Sequence, residues 1–308
     1  MSWSFPIVDA LYGRPPGELV DIPSPAVQLS PLIPGADRFE DQSDGAFDSL
    51  VMMAPAAVLE RRYVLAQALR TLKPNDGLLA LAPKDRGGSR LGKELAAFGC
   101  VVEEHARRHR RICHALRPAS PVGLEEAIAA GGPQIPLELG YWSQPGIFSW
   151  DRLDPGTSLL LRHLPKFAGG GADFGSGCGM LARAVLENPE VTQLTLIDID
   201  RRAIEAAHRN VDDPRAAFAW RDLRVGEPFD AESLDFVVMN PPFHDGGQED
   251  RALGEAFIRR AAAMLKPEGA CWLVANRHLP YEATLRSVFS RTRLVVQAEG
   301  YKVYEARR

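Results

Sequence analysis

Asn240-Pro241-Pro242-Phe243 puts an amide, two prolyl units and an aromatic ring into four residues, directly after the apolar run Phe236 to Met239. A run of consecutive apolar residues reads as a buried parallel strand, and the prolines end it because neither can donate to a ladder. Asn240 is therefore expected at the carboxyl end of a strand, the edge at which open α/β sheets bind ligands. Such a tip suits a planar group bearing NH2. The Asn240 side-chain oxygen and the Pro241 carbonyl can each accept one amine proton while Phe243 stacks on the ring. The same residues also fit a proline-terminated strand whose loop aromatic covers the core, and His244 beside Asp245 fits either a proton acceptor or a structural loop histidine.

A second stretch adds weight to the functional reading. Gly171-Ala-Asp173-Phe-Gly175-Ser176-Gly177-Cys-Gly179 reads as a strand end running into a glycine loop and then a helix, Met180 to Glu187. Such a loop lets the backbone approach a ligand closely and aims amides at it. The G-x-G-x-G spacing lacks the third-glycine spacing of the dinucleotide fingerprint, which turns the reading from NAD toward a nucleoside without a pyrophosphate. Leu194 to Ile197 is an apolar strand ending in Asp198, where a carboxylate can bind ribose hydroxyls, and Ala217 to Trp220 is another, ending near Asp222.

The elements that position these residues follow from composition and period. With 308 residues, 45% hydrophobic and 25% charged, the chain fits two globular domains better than one. A net charge of −4 and a pI near 6.0 argue against indiscriminate coating of nucleic acid. Four scattered cysteines without a C-x-x-C pair, and no leader-like start, indicate a reduced, cytoplasmic protein, and no apolar run is long enough to span a bilayer. Turns and short strands are expected up to about residue 47. Strands are expected at Ser49 to Met53, Gly77 to Ala82 and from Val101, with helices at Ala57 to Leu72 and Arg90 to Phe98. This alternation implies a parallel sheet.

Leu50-Val-Met-Met-Ala-Pro55, a helix, and Leu72-Lys-Pro-Asn-Asp-Gly77 match Val237-Val-Met-Asn-Pro-Pro242, a helix, and Leu265-Lys-Pro-Glu-Gly269. The match reads as an internal duplication. Ala54, Ala56 and Ala57 are expected where the second copy has Asn240, Pro242 and Phe243, so the first copy has lost its polar and aromatic tip. The domains are placed at residues 1–136 and 137–308.

The glycine stretch, Leu194-Thr-Leu-Ile-Asp-Ile-Asp200 and Asn240 to Gly246 together resemble the class I S-adenosylmethionine-dependent methyltransferases. With Pro145-Gly-Ile-Phe-Ser149, Val274-Ala-Asn276, Leu279-Pro-Tyr281 and Lys302-Val-Tyr304, the second half resembles, more narrowly, the bacterial ribosomal RNA guanine-N2 methyltransferases of the small-subunit type. The resemblance implies two Rossmann-like α/β methyltransferase domains in tandem, the N-terminal one degenerate. It also implies methylation of the exocyclic N2 amine of a guanine in small-subunit ribosomal RNA, with S-adenosylmethionine as cofactor and no metal. Methylation of a large-subunit guanine and a noncatalytic role in ribosome assembly stay open as alternatives. On this resemblance Gly175, Ser176, Gly177 and Gly179 lie at the methionine end of the cofactor, Asp173 near its amine, Asp198 at the ribose and Asp222 at the adenine. Asn240, Pro241 and Phe243 carry the catalysis.

One cluster stands apart. Arg107, Arg108, Arg110 and Arg111 surround His109 in an otherwise acidic chain, which suits phosphate contacts to RNA as well as it suits a solvated face. Cys100, His105, His109 and Cys113 match no zinc spacing, and the intervening arginines would repel a cation.

Overall fold

The computed structural model describes residues 8–22, 25–225, 231–242, 244–245, 248–249 and 251–308, the two short pairs by backbone alone. The chain forms two compact units, Met1–Pro133 and Gln134–Arg308. Gln134 goes with the second because it exchanges backbone hydrogen bonds with Ser143 at 2.8 Å in both directions.

In the first unit, β1 (Ala10–Tyr12), β2 (Val27–Gln28) and β3 (Phe47–Met53) precede α1 (Val58–Thr71) and β4 (Leu72–Pro83). Then come α2 (Ser89–Ala97), the hairpin strands β5 (Val101–Arg107) and β6 (Arg110–Leu116), and α3 (Leu124–Gly131). The sheet order is β2-β1-β3-β4-β6-β5, parallel from β2 to β4 and antiparallel through the hairpin.

The second unit opens with α4 (Pro155–Leu161), β7 (Gly169–Phe174), α5 (Met180–Leu186), β8 (Val191–Asp198), α6 (Arg201–Asn210) and β9 (Ala216–Trp220). It continues with β10 (Leu234–Met239), the short pair β11 (His244–Asp245) and β12 (Gln248–Glu249), and α7 (Arg251–Met264). It closes with β13 (Leu265–Asn276), α8 (Glu282–Val288), β14 (Arg291–Ala298) and β15 (Tyr301–Arg307). Its order is β14-β15-β13-β10-β7-β8-β9, with β15 antiparallel to both of its neighbours and the pairs from β13 to β9 parallel. Read from the hairpin side, the first sheet gives the same succession one strand shorter. Both are Rossmann-like α/β sheets.

Alternation along the second sheet buries both faces. Ala172, Phe174, Val237, Met239 and Leu273 pack toward α7 and α8, while Phe236, Val238, Trp272 and Val274 pack toward α4 and α5.

The duplication reaches local detail. β3–β4 and β10–β13 carry the same irregularity, between Phe47 and Ser49 in one and between Leu234 and Phe236 in the other. Asn75 and Glu268 occupy the equivalent left-handed position, φ 70° and 66°. Lys73 pairs with Asp48 as Lys266 pairs with Asp235. Both hairpins turn on two residues of positive φ, Arg108-His109 and Glu299-Gly300, the I′ geometry that matches strand twist. The carbonyls of His109 and Gly300 accept from Lys84 and Arg277, at 2.9 and 2.8 Å.

These registers correct the expected alignment of the two tips. Met53, not Ala54, stands opposite Asn240, Ala54 opposite Pro241, and Ala56 opposite Phe243, because the paired irregularities leave no room for a one-residue slip. The first tip is nonetheless apolar. Its end is closed from within: fully buried Arg61 donates to the carbonyls of Pro55 and Ala56 at 3.1 and 2.5 Å and forms a bidentate pair with Glu94 at 2.6 and 2.8 Å. The fourth residue of α1 is this arginine, and the fourth residue of α7 is Gly254, against which buried Tyr281 packs.

Candidate functional site

The site is built at the carboxyl edge of the second sheet, where β7, β8 and β10 end side by side. Asn240 follows β10 directly. Its Nδ2 donates to Asp154 Oδ2 and to Thr157 Oγ1, each at 2.9 Å. Asp154 is the N-cap of α4 and accepts the Thr157 amide at 2.7 Å. A carboxylate only accepts, so the NH2 end of the Asn240 amide has to face it. Both Nδ2 protons are thereby engaged, and Oδ1 is the polar atom left for a ligand, with no hydrogen bond among the described residues.

Pro241 is buried and Pro242 half-buried. Phe243 lies outside the described residues, and of His244 only the backbone is described.

The glycine loop leaves β7 next to this tip. Gly175, Gly177 and Gly179 have φ of 70°, 52° and 89°, conformations that L side chains adopt only with strain. A Cβ on Gly175 would lie 3.8 Å from Pro242 Cδ and 3.9 Å from the Asn240 carbonyl oxygen, so loop and tip border one space. Among the described residues a Cβ on Gly177 would meet nothing within 4 Å, an open face, whereas one on Gly179 would meet Val211 at 3.0 Å and Ala207 at 3.3 Å. Gly179 thus packs the loop on α6. The Gly177 amide donates to Asp198 Oδ2 at 2.9 Å, and the Asp200 amide donates to Asp198 Oδ1 at 2.9 Å.

Asp173 is fully buried, and among the described residues neither carboxylate oxygen has a hydrogen-bond partner. Burial, with the charge of Asp198 adding to it, pushes its carboxyl up to about 8. Burial likewise raises Asp198 to about 6, with the nearby amides of Asp200, Gly177 and Ile199 holding it back. Ser176 is also buried, its hydroxyl without a partner among the described residues. Orphaned buried acceptors are costly unless a ligand supplies donors, so the arrangement fits a cationic, amine-bearing group seated against the glycine loop. Asp222 accepts Arg224 at 2.8 to 3.1 Å, so a donor arriving there shares the carboxylate with that arginine or displaces it.

Sequence reasoning missed the supports of this site. In the sequence, Leu153-Asp154-Pro155-Gly156 marks only the entry to a helix that starts at Thr157. Asn210 exchanges two 2.8 Å hydrogen bonds with the Trp142 backbone and donates to the Cys178 carbonyl at 2.9 Å, tying the segment before α4 to the glycine loop. The only local signal was the D-x-x-T cap pattern; the partners are distant in sequence.

The first unit lacks the equivalent groups. By register, Leu11 stands where Asp173 does and Ser30 where Asp198 does. Ser30 Oγ still accepts the amide two residues on, that of Leu32 at 3.3 Å, as Asp198 does from Asp200, so the turn survives without the carboxylate. Gly13 keeps the left-handed conformation of Gly175, φ 78°, but Arg14-Pro15-Pro16 replaces the rest of the loop.

The arginine cluster spans the β5–β6 hairpin in the first unit. Arg108 pairs with Glu18 at 3.3 Å and Arg111 with Glu104 at 3.4 Å, so part of its charge is already answered. Among the described residues no group of three or more His, Cys, Asp or Glu converges as a metal site would, and no helix is long and apolar enough to cross a membrane.

A family model described as the methyltransferase small domain matches residues 138–305. A ribosomal RNA small subunit methyltransferase C from Pseudomonas aeruginosa (strain LESB58) is 33% identical over 293 residues, 91% of this chain and 86% of that protein. One from Shewanella loihica is 30% identical over 273 residues, 86% of this chain and 79% of that protein. The solved T. thermophilus 16S rRNA N2 G1207 methyltransferase, in complex with AdoMet and guanosine, is similar at a TM-score of 0.71 and 25% identity, covering 88% of this chain and 76% of that one.

Proposed function

The chain belongs to the ribosomal RNA small subunit methyltransferase C family, and on that premise we propose that it transfers a methyl group from S-adenosylmethionine to the exocyclic N2 amine of a guanine in small-subunit ribosomal RNA, in the cytoplasm. The observation that carries the reading is one shared space. Gly175, two residues after the buried Asp173 carboxylate that has no hydrogen-bond partner among the described residues, borders the Asn240-Pro241-Pro242 tip, where Asp154 and Thr157 take up the NH2 end of the Asn240 amide and leave Oδ1 to accept.

The residues fit the cofactor. Asp173 and Ser176 offer acceptors for its ammonium end, Gly177 gives it an open backbone face, and Asp198 stands at the ribose. Asp222 is assigned to the adenine amine. The chemistry the cofactor supplies is a sulfonium-activated methyl group: the amine lone pair takes the methyl carbon, the carbon–sulfur bonding pair stays on sulfur, and one amine proton is released. The protein's part is orientation. The lone pair of a guanine N2 is delocalised into the ring. Acceptors at Asn240 Oδ1 and the Pro241 carbonyl favour a pyramidal nitrogen whose lone pair points at the methyl, and Phe243 is assigned to stacking on the base. A guanine in folded RNA has to leave its stack to reach this position. Small-subunit RNA from cells lacking the protein should have one unmethylated guanine N2 that re-expression restores; an unchanged methylation map would sink the reading.

The first unit serves RNA positioning in this account, with Arg107, Arg108, Arg110 and Arg111 contacting phosphate. Neutralising all four should raise the RNA concentration for half-maximal rate and leave the maximal rate nearly unchanged, since such interactions act equally on ground and transition states. For every arginine–phosphate interaction so removed, the log-affinity against log-salt slope should flatten by about 0.7 to 0.9. An unaltered slope and affinity would return the hairpin to a solvated surface.

A further inference from the structure

We propose that Asp154 is a positioning residue for the reaction: its carboxylate fixes which way the Asn240 amide points and strengthens Oδ1 as an acceptor. This rests on the function proposed above and deepens it. Asp154 and Thr157 are 9% and 8% exposed, and both face the single Nδ2 of a residue more than 80 positions away in the chain. The support itself is anchored. Tyr301 of β15 packs on Gly156, where a Cβ would lie 2.7 Å from its ring, and Arg162 at the end of α4 pairs with Glu299 of the β14–β15 turn at 2.8 Å.

Two consequences follow from the chemistry of the donor pair. An amide can flip end for end at little cost unless one end is specified. Here an obligate acceptor and a hydroxyl specify NH2 toward α4, and therefore carbonyl oxygen toward the substrate amine. Hydrogen bonds in series also polarise one another. Negative charge at Asp154 draws on the Nδ2 protons and raises the electron density on Oδ1, at the end where positive charge grows on the substrate nitrogen as it is methylated. The stabilisation is larger in the transition state than in the bound ground state, so it acts on kcat.

Capping and positioning predict different results for Asp154→Asn. Asparagine caps a helix about as well as aspartate, so a residue needed only as a cap would leave kinetics near the parent's. The positioning role predicts that kcat falls by at least about tenfold, with KM for RNA and cofactor affinity within a few-fold. Thr157→Val keeps the capped amide but removes the second acceptor, and should lower kcat by a smaller factor, which covers the case in which Asp154→Asn folds poorly. A readout independent of turnover is the 15N-resolved side-chain amide signal of Asn240, assigned by its disappearance in Asn240→Asp. Its protons should move upfield in Asp154→Asn as the charge-assisted bond is lost. Parent-like kcat together with an unmoved Asn240 signal would overturn the inference. A parent enzyme that fails to methylate guanine N2 would instead overturn the functional reading, while the amide signal would still report whether Asp154 holds Asn240.

Discussion

Asn240→Ala is expected to reduce methyl transfer by about 10²–10³, roughly 3–4 kcal/mol, the usual cost of removing an orienting hydrogen bond at a reacting centre. The variant loses the acceptor aimed at the substrate amine, while the glycine loop, Asp173 and Asp198 are untouched, so cofactor affinity should stay within several-fold. Because the side chain's donors serve only to hold it against Asp154 and Thr157, its removal leaves α4 capped and the fold intact. Single-turnover rates alongside calorimetric cofactor binding would check this. Near-normal turnover would mean that Asn240 does not hold the amine.

Asp173→Asn is expected to weaken S-adenosylmethionine binding by at least about thirtyfold, the lower end of the 2–5 kcal/mol that follows truncating one partner of a buried charge pair. Parent titrations should approach one cofactor per chain, since Leu11 and Ser30 replace the two carboxylates in the first unit. The same substitution should act on stability in the opposite sense. With its carboxyl raised to about 8 by burial and Asp198, the folded ligand-free protein holds a proton on Asp173 that the unfolded chain gives up near the ordinary carboxylate value. Stability from this group is therefore full below that value and declines as pH climbs toward about 8. Asparagine does not titrate, so the melting temperature of the variant should gain on the parent's as pH rises from 5 to 8. The cofactor's ammonium favours the ionised carboxylate, so parent binding at pH 7 should release up to about one proton. Calorimetry in buffers of different ionisation enthalpy reads this directly. Undiminished binding by the variant, or no proton release, would remove Asp173 from the site.

What could be read from the sequence was local. Asn240 after an apolar run, the glycines after Asp173 and the acids Asp198 and Asp222 after short strands each sit within a few residues of the signal that marks them, and all lie at the carboxyl edge of one sheet. The Leu-Lys-Pro repeat was legible for the same reason. Its register was not, because the irregularities in β3–β4 and β10–β13 fix Met53 opposite Asn240 through pairing with a distant strand. β1 and β2 have three and two residues, too short to show a period, so the loss of Asp173 and Asp198 to Leu11 and Ser30 emerged only from strand pairing. Arg108 and His109 carry the positive φ of a tight hairpin without glycine or asparagine to announce it, and the run was legible as charge but not as a turn. The hold of Asp154 on Asn240, and of Asn210 on Trp142, joins residues that no local pattern relates.

The most direct test uses the purified protein, methyl-labelled S-adenosylmethionine and unmodified small ribosomal subunits or their RNA, followed by digestion to nucleosides. The label should elute as N2-methylguanosine, and Asn240→Ala should nearly abolish it. Label in N6-methyladenosine, or in ribosomal protein instead of RNA, would contradict this, because the Asn240-Pro241-Pro242 tip would then be presenting a different amine.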